Sequence, residues 1–338
     1  MSQLKKSITA LNASITAIGG YVPDETLTNS KLESMVETND AWIQSKTGIK
    51  ERRILSDPSK ATSYLAIKAA NNLIIKNDID PKEIEMIILA TATPDMQIAA
   101  TAAYVATKIG ASNAFGYDLQ AACSGFLYAM SMAAGKIESG RYKKILVIGA
   151  DKMSSLINYE DRSTCIIFGD GAGAVLFEPN KDKLGWQDEY FKSDGGDRDS
   201  LKVKAGGSLF PATETSVLNQ DHYLSMDGRK VFKSAVSAMT EASSKILQRN
   251  NISGEDVSYL LAHQANERII ESVAEKMKLN PKKVLKNIAY YGNTTAATIP
   301  LLLCDFEKKF KKGDKIIFAA FGGCLLYTSP SPRDVEES

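Results

Sequence analysis

Three observations predict an α/β fold built from two copies of one unit. Ile84 to Ala90 and Lys144 to Ala150 are almost wholly apolar runs, as expected of strands covered on both faces. Ahead of the first run, Leu65, Ala66, Ala69, Leu73 and Ile74 recur at helical spacing. The pattern then repeats at a constant offset. Ala70 to Ile79 followed by Glu83 to Leu89 returns as Ser243 to Ile252 followed by Asp256 to Ala262, and Lys144 to Gly149 returns as Lys315 to Ala320. A duplicated unit of helix, polar turn and buried strand accounts for this better than chance likeness of apolar strands.

Taken in order, Ile15 to Val22 alternates apolar and small residues and stops at Pro23, which reads as a first strand and a turn. Thr38, Asn39 and Asp40 offer capping side chains to a short helix that Gly48 closes. A helix over Ser63 to Ile75 leads to the strand Ile84 to Ala90, another helix includes Tyr104 to Ile109, and Ala114 to Leu119 is a short strand. Ser124 to Ser139 is rich in Ala, Met and Leu until Gly140 stops it, so it reads as a helix. Phe168-Gly169-Asp170-Gly171-Ala172-Gly173-Ala174 lacks the spacing of a phosphate loop and reads as a close-packed bend between strands. Residues 180–220 are polar and glycine-rich, a long irregular connection between an N-terminal half (1–179) and a C-terminal half (221–323).

With 338 residues, 44% of them hydrophobic, the chain can build two cores, and a net charge of +1 gives no reason to expect nucleic acid or an anionic membrane as main partner. No apolar run approaches the roughly 18 residues of a membrane span, and Met1 to Ser14 lacks the apolar centre of a signal peptide, so a cytoplasmic location is expected. Four cysteines without CxxC spacing argue against a disulfide framework or a zinc cluster, and no metal is expected. Cys324 to Asp334 matches the translation of a transposase sequencing adapter. Residues 324–338 are therefore expected to be non-native read-through and to carry no information about the fold.

Chemistry concentrates at three junctions. Cys123, in Gln120-Ala121-Ala122-Cys123-Ser124-Gly125, lies where a strand gives way to a helix, and the positive helix end there is expected to lower the thiol pKa below about 8.5. A buried structural cysteine is the competing reading. Only two histidines exist; His263 ends a buried strand at its carboxyl end, where sites gather in α/β sheets, whereas His222 reads as a surface residue of the irregular region. Asn293, after Gly292, offers N–H donors that do not titrate, or else caps a helix. A thiol that takes an acyl group, with an imidazole and a carboxamide donating to a developing oxyanion, suits carbon–carbon bond formation. A hydrolase would need an activated water, and no third group supplies one.

Set in order, Asp40-Ala41-Trp42-Ile43, Lys46-Thr47-Gly48-Ile49, Ala122-Cys123-Ser124-Gly125, Phe168 to Ala174, His263-Gln264-Ala265-Asn266, Gly292-Asn293-Thr294 and Phe321-Gly322-Gly323 form a specific set. In them the chain resembles the 3-oxoacyl-ACP synthase III family of thiolase-superfamily condensing enzymes, over Ile15 to Gly323. The resemblance implies a thiolase-like, five-layered αβαβα duplication and a homodimer. It also implies a ping-pong condensation of acetyl-CoA or another short acyl-CoA with malonyl-ACP that initiates fatty acid synthesis. Acyl-CoA is then a substrate, and no cofactor is implied.

By family position, Cys123 is the nucleophile, His263 and Asn293 the enolate donors, and the N–H groups of Cys123 and Gly323 the oxyanion hole. Trp42, Lys46, Arg162, Gly228, Phe232, Ala265, Asn266 and Arg268 match CoA-contacting positions. Lys46 stands where the family often has arginine, and Arg229 where some relatives have asparagine, so altered CoA affinity is expected. Ile98 matches the residue that reaches across the dimer to limit the acyl pocket, and Arg268 and Lys276 match positions that dock acyl carrier protein. A related acyltransferase, a polyketide-type condensing enzyme of secondary metabolism and a non-catalytic acyl-binding member are the alternatives.

Overall fold

The structure, a computed structural model, describes residues 11–182, 184–323 and 326–328. Its strands obey the period of two that places successive side chains on opposite faces. In Met86–Ala90, which is buried throughout, Met86, Ile88 and Ala90 face a central core while Ile87 and Leu89 face an outer one.

The first sheet has the order Asn12–Tyr21, Asp170–Asn180, Ile145–Lys152, Met86–Ala90, Phe115–Leu119. Its last three strands run parallel, and Asp170–Asn180 pairs antiparallel with both neighbours. The second sheet pairs Tyr259–Ala262 parallel with Ile316–Gly322.

Five layers follow from where the apolar faces go. Leu65, Ala69 and Leu73 of Thr62–Lys76 and Val105 of Thr101–Ile109 cover the outer face of the first sheet. Phe126, Leu127 and Met130 of Gly125–Glu138 share one core with Ile299, Leu302 and Leu303 of Thr298–Phe306, between the two sheets. Met239 and Ala242 of Gly228–Arg249 and Ile270 and Val273 of Glu267–Lys276 cover the far side of the second sheet. The sequence of layers is αβαβα, and each half contributes one sheet, as the internal echo predicts.

One expectation needs correction, and two further features qualify the duplication. The glycine run 168–174 is not a bend between two strands: Asp170–Asn180 is one continuous strand, and Ile166 and Ile167 lie in a turn before it. Its glycines do serve close packing, since a Cβ on Gly173 would come within 2.6 Å of Pro300 and one on Gly169 within 2.4 Å of the Tyr291 carbonyl. In the second half, the counterpart of Phe115–Leu119 shrinks to a single bridge between Leu260 and Val284, and a short helix, Ile288–Tyr291, precedes Asn293. The buried Gln264 causes this by accepting from the N–H groups of Asn287 (3.1 Å) and Ile288 (3.2 Å), which favours a helical start over a strand. Finally, the tail set aside on sequence grounds places Leu326–Thr328 antiparallel to Ala320–Gly322. Unpaired backbone at a strand edge accepts a partner with little regard to its side chains.

Candidate active site

Cys123 sits in the turn Ala122–Ser124, between the strand Phe115–Leu119 and the helix Gly125–Glu138. Ala122 has φ +46°, a left-handed conformation that costs a non-glycine residue about 1–2 kcal/mol and bends the chain sharply there. The end of the strand Ile316–Gly322 passes directly over this turn. A Cβ on Gly322 would lie 3.0 Å from the backbone nitrogens of both Cys123 and Ser124.

Two cavities meet at the thiol. One, of about 750 Å³, is lined by Trp42, Lys46, Phe232, His263, Asn266, Asn293 and others. The second, of about 610 Å³, is largely apolar, with Met153, Leu156, Val203, Ala205 and Leu224 in its wall. Cys123, Phe168 and Leu201 line both.

Electrostatics correct the expectation of a lowered thiol pKa. Burial pushes the Cys123 thiol up to about 12, and the buried carboxylate of Asp151 adds to the shift. In a site this dry, desolvation outweighs the favourable helix end. Burial also pulls His263 down to about 3, so the ring is neutral. The resting pair is a thiol and a neutral imidazole.

His263 follows Tyr259–Ala262, is 2% exposed, and its Nδ1 lies 2.7 Å from Thr298 Oγ1. Asn293 is held on both sides: its N–H donates to the Ile167 carbonyl (2.9 Å) and its Oδ1 accepts from the Thr295 N–H (2.9 Å). The second bond fixes the amide so that Nδ2 is free to donate elsewhere.

Beneath these groups lies a residue that the sequence did not single out. Asp151, fully buried at the end of Ile145–Lys152, accepts from the N–H of Ala92 (2.7 Å), the hydroxyls of Thr91 (3.0 Å) and Thr93 (3.1 Å), and the N–H of Ala296 (2.9 Å). It ties the first half to the turn after Asn293, and burial holds its carboxyl up at about 6. Only its place at the end of an apolar strand hinted at it.

The remaining positions divide. Trp42, Lys46, Gly228, Arg229, Phe232, Ala265, Asn266 and Arg268 line the larger cavity. Asn266 caps the helix Glu267–Lys276 through the Arg268 N–H (2.9 Å), and its amide donates to the Lys46 carbonyl (2.8 Å). Arg162 stacks its guanidinium 5.0 Å from the Trp42 ring centre and donates to the Glu37 carbonyl, without lining the cavity. Gly323 lines the apolar cavity. Ile98 is 98% exposed and lines neither cavity, and Lys276 is exposed at the end of its helix. His222 is not the surface residue expected: it is half-buried in the wall of the apolar cavity, because the strand Leu201–Val203 pairs with Leu224–Met226 and folds the irregular region over the site.

With an acyl-sized apolar chamber on one side of the thiol and a tunnel fringed by cations on the other, this is the site of an acyl-transferring condensing enzyme. Family models for 3-oxoacyl-[acyl-carrier-protein] synthase III match residues 117–195, and for its C-terminal part residues 247–330. The chain is 52% identical over 312 residues to beta-ketoacyl-[acyl-carrier-protein] synthase III 2 of Bacteroides thetaiotaomicron, covering 92% of this chain and 93% of the relative. It superposes on the 3-oxoacyl-[acyl-carrier-protein] synthase III of Aquifex aeolicus with a TM-score of 0.87 at 39% identity, covering 95% of this chain and 99% of the other. The priming beta-ketosynthase of the R1128 polyketide pathway gives a TM-score of 0.88 at 28% identity, covering 96% of each chain. The chain belongs to the 3-oxoacyl-ACP synthase III family.

Proposed function

We propose that this chain condenses a short acyl-CoA with malonyl-ACP to give 3-oxoacyl-ACP, the step that initiates fatty acid synthesis. The observation that carries this reading is the junction of two cavities at one buried thiol, with His263 and Asn293 in the wall of the larger. The Cys123 sulfur attacks the acyl-CoA carbonyl, CoA leaves with the thiol proton, and the acyl chain occupies the apolar chamber. Malonyl-ACP then enters by the tunnel and its carboxylate departs as carbon dioxide. The electron pair left behind forms an enolate whose oxygen takes hydrogen bonds from His263 and Asn293. That carbon attacks the Cys123 thioester, the N–H groups of Cys123 and Gly323 hold the tetrahedral oxyanion, and the thiolate leaves and regains a proton.

Trp42, Lys46, Arg162, Gly228, Phe232, Ala265, Asn266 and Arg268 are the CoA contacts in this reading. Lys46, Arg229 and Arg268 are exposed cations at the cavity wall, suited to phosphate groups. Arg268 and Lys276 dock the acidic carrier protein. A homodimer is supported by the strand Phe115–Leu119, which among the described residues has a partner on one side only, and by the exposed Tyr104, Phe115 and Met132 near it. In that dimer Ile98 reaches the partner subunit's acyl chamber. No helix among the described residues is long and apolar enough to cross a membrane, and a cytoplasmic location fits a carrier-protein partner.

The test offers the protein a panel of acyl-CoAs and then malonyl-ACP, with mass spectrometry of enzyme and carrier. An acyl adduct on Cys123 followed by 3-oxoacyl-ACP is the expected result and names the starter. An adduct without elongation turns the reading to simple acyl transfer, and no adduct leaves an acyl-binding protein. The likeness to a polyketide priming synthase favours one second reading, elongation of a starter for secondary metabolism. A starter preference for chains well beyond acetyl would support it.

A further inference from the structure

We infer that Thr298 is a positioning residue that sets the tautomer of His263, donating its hydroxyl proton to Nδ1 and so keeping the ring proton on Nε2. This rests on His263 being the enolate donor proposed above. A neutral imidazole carries one N–H and one lone pair. With the proton on Nδ1, it would turn a lone pair toward the enolate oxygen and repel the charge it is meant to hold.

The neutral state follows from burial, which leaves His263 2% exposed with a pKa of about 3. Among the described residues, the hydrogen bond at the His263 ring joins Nδ1 to Thr298, and the ring lines the larger cavity. The Thr298 hydroxyl has one proton and two claimants, His263 Nδ1 at 2.7 Å and the Thr295 carbonyl at 3.1 Å. Hydroxyl donors work at about 2.5–3.0 Å, while N–H donors centre on about 2.9–3.0 Å. The shorter contact suits the hydroxyl donating to the ring, and the Thr295 carbonyl is the more distant of the two claimants.

Thr298 is itself 2% exposed and is the first residue of the helix Thr298–Phe306. It follows the turn Thr295–Ala297, whose first N–H holds Asn293 Oδ1. One turn thus aims both donors: it orients the Asn293 amide through its backbone and the His263 tautomer through the residue that follows it. Thr298 never touches substrate in this scheme.

The test compares Thr298→Val, which keeps the shape and loses the hydroxyl, with Thr298→Ser, which keeps the hydroxyl. The two half-reactions are read separately, acylation of Cys123 from acetyl-CoA and carbon dioxide release from malonyl-ACP. We expect Thr298→Val to acylate within about threefold of the native rate and to release carbon dioxide about 10- to 100-fold more slowly, with Thr298→Ser restoring it. Nitrogen-15 histidine NMR reads the tautomer directly. Since the chain has two histidines, His222→Gln assigns the signals. Native protein should show His263 protonated on Nε2, and Thr298→Val should lose that preference. An Nδ1-protonated ring in the native protein overturns the inference. So does an equal fall of both half-reactions in Thr298→Val, the mark of a packing role. Failure of the underlying reading is separate: there His263→Ala would leave carbon dioxide release intact, whatever the NMR shows.

Discussion

At 122–124 and again at 295–297 the chain makes a three-residue turn opened by a non-glycine residue with positive φ, 46° at Ala122 and 53° at Thr295. Each turn runs directly into a buried helix of the central layer. The second residue of one turn is Cys123; the second residue of the other is Ala296, whose N–H is spent on Asp151. The first turn presents the Cys123 thiol under the end of a strand. The second locks itself to the opposite half; in the proposed scheme the enolate donor Asn293 stands before it and the positioning residue Thr298 after it. Duplication supplies the same strained scaffold twice, and which side chain and which N–H each copy commits decides its role.

The largest effect should come from moving the nucleophile. Cys123→Ala abolishes acylation, and Cys123→Ala/Ala296→Cys does not recover it, because Ala296 lines neither cavity and is 1% exposed. An acyl adduct on the new cysteine would erase the distinction between the turns. Asn293→Ala should leave acylation in place and slow condensation on the order of a hundredfold; single-turnover assays of each step check it.

Crowding the first turn comes next. Gly322→Ala brings a Cβ to 3.0 Å from two backbone nitrogens, and denaturant titration should show a loss of about 1–3 kcal/mol. Gly135→Ala, a helical site with nothing within 4 Å, should instead gain about 0.5–1 kcal/mol.

Reactivity sharpens the electrostatic side. With its thiol raised to about 12, Cys123 should react with iodoacetamide at a rate that climbs about tenfold per pH unit through pH 9. A plateau below pH 8 would mean that the helix end outweighs burial after all.

The buried ring also ties stability to pH. The folded-state pKa of His263 lies below its ordinary 6.5, so the unfolded chain binds a proton first as pH falls. Stability contributed by the neutral ring is complete above pH 6.5 and drains away toward pH 3. The gap between native protein and His263→Gln in thermal melts should therefore narrow on acidification across that window, and a constant gap would contradict the buried neutral ring.

Much of this was open to sequence reasoning because it depends on short-range pattern. The strands Met86–Ala90 and Ile145–Lys152 announce themselves by unbroken apolar runs, and the helix Asp40–Thr47 by the Asn39 cap and Gly48, whose φ is +78°. Boundaries drifted where tertiary contacts took over: Gly228–Arg249 starts well before the echo that revealed it, and Ile288–Tyr291 is helical because Gln264 caps it from a distance. His222 was misplaced for the same reason, since its surroundings belong to a cavity wall and not to its charged sequence neighbours.

By itself the sequence determined the duplicated α/β plan and put forward Cys123, His263 and Asn293 as the candidates for the site, because periodicity and residue type are local properties. Only the tertiary structure decided how those groups are charged and held. The protonated thiol, the neutral imidazole, the Asp151 tether and the Thr298 contact depend on desolvation and on distances between residues far apart in the chain. Both are set when the two halves close on each other.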